Sequence, residues 1–94
     1  MMAVLLAVTF GGFHIAAAVI ARHRAQAAAD LSALAAAATL PDGVGAACDK
    51  ASVIASAMSA GVVDCAVDGL DVVVTVRSGP AHAAARAGPV GVPN

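Results

Sequence analysis

The sequence lacks tryptophan, tyrosine and glutamate, and Phe10 and Phe13 are its only phenylalanines. Aromatic side chains dominate the area of most small cores and binding hot spots, so most of this chain must pack with smaller side chains. Charge is also sparse, with five Lys and Arg against six Asp. A nucleic-acid surface needs clustered Lys and Arg to neutralise phosphates, so the composition predicts no nucleic-acid partner.

The residues that carry most catalytic chemistry are scattered along the chain. His14, His23 and His82 fall in separate regions, and the Asp residues fall at turns and on predicted solvent-facing surfaces. The motifs GxGxxG, GxxxxGK[ST], GxSxG and HExxH are absent. Because catalysis requires a nucleophile with a base, paired carboxylates or a metal site, we predict a non-catalytic protein. We expect no cofactor, no metal and no small-molecule substrate.

An uncharged apolar run opens the chain. Residues 1–21 contain no Asp, Glu, Lys or Arg, and Arg22-His23-Arg24 follows at once. A helix of this length spans a hydrocarbon core at a rise of about 1.5 Å per residue. We therefore predict that residues 2–21 cross a membrane, with lipid as a partner. Arg22 and Arg24 would anchor the end of the span at the headgroups.

Three residues inside this run are candidates for helix packing in the membrane. Gly12 and Ala16 form a small-xxx-small pair that lets a second helix approach closely, although such pairs also arise by chance in alanine-rich sequence. His14 is a polar residue within the predicted span. It either packs against another helix or has a proton-linked or assembly role.

Two helices are predicted before the strands. The absence of proline before Pro41 predicts one helix over residues 2–40. Arg22, Gln26 and Asp30 would form its polar stripe, with an apolar face opposite made of Ala27, Leu31, Leu34 and Ala38. Apolar periodicity predicts a second helix over 44–60, which Gly61 would cap in the left-handed conformation.

A β-hairpin is predicted next, with strands over 62–67 and 70–76. Asp68-Gly69 between them is typical of a two-residue type I′ turn. That turn would pair Val67 with Leu70, Cys65 with Val72 and Val63 with Val74, all facing the helices. The fold class is therefore α+β, with a head over 22–77. Residues 78–94 are expected to form a flexible tail, with one helical turn over 81–87.

Cys48 and Cys65 are predicted to meet between the second helix and the hairpin. A disulfide there would close a loop of about 17 residues and stabilise the head by roughly 3 kcal/mol. Such bonds persist outside the cytoplasm. The alternative is a pair of buried thiols that act as small apolar groups. The cysteine spacing does not favour a metal site.

The segment Ala21-Arg22-His23-Arg24-Ala25-Gln26-Ala27-Ala28-Ala29-Asp30-Leu31-Ser32-Ala33-Leu34-Ala35-Ala36-Ala37 resembles the hallmark of TadE/TadG-like pilus-assembly proteins, R-x-Q-x-A-A-D-x-x-A-L-A-A-A. The later cysteines and the Asp-Gly hairpin resemble a short actinobacterial TadE-like type. The resemblance implies a minor pilin or pseudopilin, held in the cytoplasmic membrane by one helix with its head outside. Its partners would be other pilin-like or secretion-system subunits.

The resemblance leaves processing and orientation open. Family members usually carry a basic leader, whereas Met1 already lies in the apolar run, so no processing site is carried over. Arg22 and Arg24 by themselves favour a cytoplasmic head, against the disulfide. Two alternatives therefore stand beside the pilin-like subunit. One is a signal-anchored or released interaction module, and the other is a single-span membrane regulator with a cytoplasmic head.

Overall fold

The computed structural model describes residues 1–89, which form two helices and a three-stranded antiparallel sheet. The first helix is followed by a single 3-10 turn, and the strands pair in the order in which they follow one another along the chain. The predicted α+β class is confirmed. The elements in chain order are α1 Met2–Thr39, the 3-10 turn Leu40–Asp42, α2 Val44–Ala57, β1 Gly61–Asp68, β2 Asp71–Ser78 and β3 Ala81–Ala87.

The C-terminal half of α1 packs on the sheet through small side chains. Its buried residues recur at helical spacing and are Ala25, Ala28, Ala29, Ser32, Ala33 and Ala36. Short side chains let the backbone of the helix approach the strands closely. The predicted apolar face was wrong, because Leu31 and Leu34 are 49% and 60% exposed. Side-chain hydrophobicity predicted the wrong buried face, because α1 lies too close to the sheet for leucine side chains to fit between them.

Helix α2 ends earlier than predicted, at Ala57 instead of residue 60. The predicted left-handed cap at Gly61 was wrong, since Ser59 takes that conformation with φ of 59°. The amide of Ala60 donates to the Ala55 carbonyl at 2.9 Å, and that of Ser59 donates to Ser56 at 3.0 Å. These two bonds are the Schellman pattern. Gly61 is thereby released to begin β1.

The first hairpin has a register two residues away from the predicted one. Asp68 pairs with Asp71, so the loop is Gly69-Leu70 instead of Asp68-Gly69. Gly69 has φ of 65°, whereas Leu70 is not among the residues of positive φ. Glycine at the first loop position followed by a residue of negative φ is typical of a type II′ turn. Leu70 therefore sits in the turn, 69% exposed, and not on the inner face.

A β-bulge displaces the start of β1. Val62 pairs with Val76 and Asp64 with Thr75, which leaves Val63 as the extra residue. Val63 is consequently 55% exposed, so its predicted inward position was wrong. A bulge adds one residue to one strand and exchanges the faces on either side of it.

The expected flexible tail contains a third strand. Ala81–Ala87 pairs with β2, so the helical turn predicted there was wrong and the sheet extends the head beyond residue 77. Gly79, with φ of 58°, and Pro80 form the connecting loop, which repeats the turn design of the first hairpin. Residues 90–94 of the predicted tail lie outside the described residues.

Two helices cover one face of the sheet, and β2 is its central strand. Val72, Val74 and Val76 project from β2 and are fully buried. Around them lie alanines of both helices, including Ala47, Ala51 and Ala55 of α2. The core therefore consists of β-branched side chains on the strand and small side chains on the helices. This pairing suits a composition that has no large aromatic residue in the head.

Candidate membrane and assembly surfaces

The N-terminal half of α1 projects away from the head. Residues 1–20 are all exposed, including Leu5, Leu6, Phe10 and Ile15. Among the described residues, this is the helix long and apolar enough to cross a membrane by length and composition. The mean hydropathy of its most apolar 18-residue window is 2.2, and none of that window is buried in the protein. Large apolar side chains on every side of a helix are typical of a lipid-facing segment.

The three predicted packing residues lie on two different faces of this exposed segment. Gly12 and Ala16 are four residues apart and share one face, whereas His14 lies two residues from each and points away from it. His14 instead lies edge-on against Phe10, with ring centroids 4.6 Å apart. A Cβ at Gly12 would meet nothing within 4 Å. A single neighbouring helix can therefore use the small-residue pair or the His14 face, but not both.

The head begins where the uncharged run ends. Arg22 and Arg24, the predicted interface anchors, are exposed on α1 at this level. Arg24 lines a shallow cleft of about 450 Å³ together with Ala21 and the loop Gly79-Pro80. The turn between β2 and β3 therefore lies against α1 at the level of the predicted anchors.

The structure joins Cys48 and Cys65 in a disulfide that links α2 to β1, with the two Cα atoms 5.9 Å apart. Strand β1 is an edge strand, and its helix contacts are mainly with α2. The bond therefore ties this edge strand directly to a helix. The pairing predicted from the sequence is present.

Gln26 connects α1 to the opposite edge of the sheet. Its Nε2 donates to Asp30 Oδ1 at 3.0 Å and to the Ala84 carbonyl of β3 at 3.4 Å. An edge carbonyl is a free site for pairing with another strand. Sequence reasoning treated Gln26 and Asp30 as a solvated stripe and missed this contact. The motif alone gave no signal, because β3 itself was not predicted.

The end of the head farthest from the apolar helix carries ion pairs. Arg86 binds Asp68 at 2.8 Å and Asp71 at 2.9 Å. The hydrogen bonds that Arg86 donates to these two carboxylates, the one to Asp68 first, raise the pKa of Arg86 above its ordinary value. All three side chains are largely exposed or only part-buried, so they contribute little to stability. They tie the first hairpin turn to β3.

An apolar groove of about 520 Å³ also opens at this end. It is lined by Leu34, Leu40, Leu70 and Pro89, among others. The sequence interpretation missed it because it placed Leu34 and Leu70 in the core.

Within residues 1–89, no group of three or more His, Cys, Asp and Glu side chains is arranged to hold a metal ion.

Comparison with known families gives a match that covers α1. The family described as "Putative Flp pilus-assembly TadE/G-like" matches residues 1–39, which coincide with the extent of this helix. The chain is also similar to the apoptosis inhibitor Rv3654c of Mycobacterium tuberculosis, with 59% identity over 54 residues. That match covers 57% of this chain and 64% of the relative. No solved structure matches.

The family match and the fold agree on one element. The matched residues contain the exposed apolar half, the Arg22–Arg24 segment and the alanine face that packs on the sheet. The resemblance to TadE/TadG-like proteins that the sequence predicts is thus confirmed over residues 1–39, where the family model matches.

Proposed function

We propose that this protein is a non-catalytic, minor pilin-like subunit of a Flp-type pilus or a related secretion assembly. The observation that carries the proposal is the continuity of α1, which is one helix from Met2 to Thr39. Its first half is apolar and is not buried in the protein, whereas its second half is built into the head. A single rigid rod of this kind couples a membrane segment directly to a folded domain.

The proposed arrangement has the apolar half in the cytoplasmic membrane and the head outside the cell. The Cys48–Cys65 disulfide supports an extracytoplasmic head, because such bonds are rare in reducing compartments. The arginines next to the span favour the opposite orientation, because positive flanks tend to stay inside. We give the disulfide more weight, since charge bias depends on both flanks of the span.

Thiol labelling in intact cells tests this orientation. A membrane-impermeant maleimide should label Cys48 or Cys65 only after mild reduction, because the structure has both in a disulfide. A variant for labelling without reduction has both native cysteines replaced by serine and carries Ser52→Cys. Ser52 is chosen because it is exposed on α2. This variant should be labelled without reduction. Labelling of Ser52→Cys only after lysis would overturn the external head and support a cytoplasmic regulator.

Substitutions on the small-residue face of the apolar half test whether the protein takes part in filament assembly. Gly12 and Ala16 are exposed, so they are available for contact with a neighbouring helix. In a strain that lacks this protein, we expect fewer Flp-type filaments by electron microscopy, with wild-type chain restoring them. Gly12→Leu with Ala16→Leu should not restore them, whereas Ala18→Leu on another face should. Normal filaments in the deletion strain would refute the subunit role.

A second candidate function rests on the similarity to the M. tuberculosis protein, which is named as an apoptosis inhibitor. In that case the head would act as a released interaction module. The discriminating observation is the fate of the chain in culture. A product that is free in the medium and lacks the apolar half of α1 would favour the module over the filament subunit.

A further inference from the structure

The charged side chains of the head are unevenly distributed along its length. The end nearest the apolar helix is built from residues 17–24, 58–61 and 76–82. These segments contain three arginines and two histidines but no Asp. We call this end the basal surface, with Arg22, Arg24, Arg77 and His82 as its defining residues. The Asp residues lie farther along the head, at Asp30, Asp42, Asp49, Asp64, Asp68 and Asp71.

Two of these arginines lie beside the same turn. Arg77 Nε donates to the Gly79 carbonyl at 3.2 Å, which holds its guanidinium at the loop between β2 and β3. Arg24 lines the cleft formed by α1 and the same loop. No ion pair within residues 1–89 involves either side chain, because the carboxylate contacts all go to Arg86. Both guanidinium groups therefore retain free N–H donors.

The other two basic groups are Arg22 on α1 and His82 on β3, which is an edge strand of the sheet. Gln26 reaches the Ala84 carbonyl, and Arg22 is one helical turn below Gln26 on the same side of α1. His82 is two residues closer to the basal turn than Ala84, and it pairs with Arg77 across the strands. The fold thus brings the four basic residues of the basal surface, which are distant in sequence, to the same end of the head.

That level coincides with the end of the uncharged run. Ala17, Ile20 and Ala21 of α1 line the same cleft as the basal turn. In the membrane-held arrangement proposed above, on which this inference rests, the basal surface lies at the depth of the lipid headgroups. Planar guanidinium groups match phosphate oxygens in a bidentate geometry. We propose that the basal surface binds anionic phospholipid headgroups, so that the head is seated on the bilayer as well as tethered to it.

The basal surface extends the anchoring role beyond α1. Arginines of the helix alone would mark the end of the span and leave the head free to tilt. Arg77 belongs to the sheet, so its contact with a headgroup fixes the orientation of the head. A basic side chain near an anionic membrane surface contributes a factor of about five in binding. The two arginines at the turn should together change the preference for anionic lipid by roughly 25-fold.

The test uses the full chain in nanodiscs that contain phosphatidylcholine and phosphatidylglycerol in equal amounts. Native mass spectrometry of the released protein counts the lipids of each class that remain bound. We expect wild-type protein to retain phosphatidylglycerol preferentially and Arg24→Gln with Arg77→Gln to lose most of that preference. The matched control, Lys50→Gln with Arg86→Gln, removes the same amount of charge from other parts of the head. It should keep the preference for phosphatidylglycerol.

The outcomes separate the lipid site from membrane insertion. An unchanged preference in Arg24→Gln with Arg77→Gln, or an equal loss in the control, would overturn the lipid site. Retention of both lipid classes without preference by wild-type protein would overturn it as well. Alkaline carbonate extraction of native membranes reports separately on the anchor. A chain that washes off refutes membrane insertion itself, whereas a chain that stays without lipid preference refutes only the basal site.

Discussion

Ser32 offers the sharpest test of how α1 packs on the sheet. It lies on the buried alanine face of the helix and is fully buried. Its Oγ has no hydrogen-bond partner among the described residues. A helical serine commonly donates to the carbonyl four residues earlier, and this one does not. The hydroxyl is therefore removed from water without compensation, and Ser32→Ala should stabilise the head.

The expected gain follows from two terms. An unsatisfied buried hydroxyl costs about 1–3 kcal/mol. Alanine also has a higher helix propensity than serine, by roughly 0.5 kcal/mol. Removal of the oxygen leaves a small void, and the cost of this void reduces the expected gain in stability. We expect the free energy of unfolding to rise by about 1–2 kcal/mol, which for a small domain raises the melting temperature by several degrees.

Hydrogen exchange of the β2 amides measures this change, because β2 is the central strand and loses protection only when the sheet opens. The full chain in detergent or nanodiscs is suitable. The matched control is Ala36→Ser, which adds a hydroxyl one turn away on the same buried face and should destabilise by a similar amount. Lower protection in Ser32→Ala would refute the reasoning, since it would mean that the hydroxyl has a partner in solution.

Four further variants test the turns and the disulfide. Replacing Cys48 and Cys65 with serine should lower the free energy of unfolding by about 3 kcal/mol, as expected for a loop of 17 residues. Urea unfolding should match that of reduced wild-type protein. Ser59→Gly should stabilise and Gly69→Ala destabilise, each by about 1 kcal/mol, because both positions have positive φ. Gly61→Ala, at an extended position open to solvent, should change stability little by the same assay.

The sequence predicted the helices well because their signals are local. Uninterrupted helix formers, with Pro41 and Gly43 as the end signal, placed α1 within one residue of its observed end. The hairpin was only partly predictable. Asp68-Gly69 correctly located a turn, but the choice between two loops depends on the φ values that Gly69 and Leu70 adopt. Register follows from the type of turn, so the Asp-Gly pair alone could not decide it.

The third strand was missed because its composition argues for a helix. Ala81–Ala87 contains five alanines, and alanine has the highest helix propensity of all residues. Tertiary packing overrides this preference, because the inward alanines of β3 lie against the alanine face of α1. The available signal was Ser78-Gly79-Pro80, which repeats the turn design of Asp68-Gly69-Leu70 ten residues later. Regular turn spacing was therefore more informative than propensity.

The choice of side-chain size along α1 explains how one helix serves two surroundings. In residues 2–20, large apolar groups such as Phe13 project from the helix into what we propose is lipid. From Ala25 onward the buried face contains only alanine and serine, because the sheet requires close approach. Leu31 and Leu34 stay exposed for the same reason, and Leu34 lines the apolar groove at the end of the head farthest from the apolar half of the helix. Exposed leucine on this helix is thus a consequence of close packing on the opposite side.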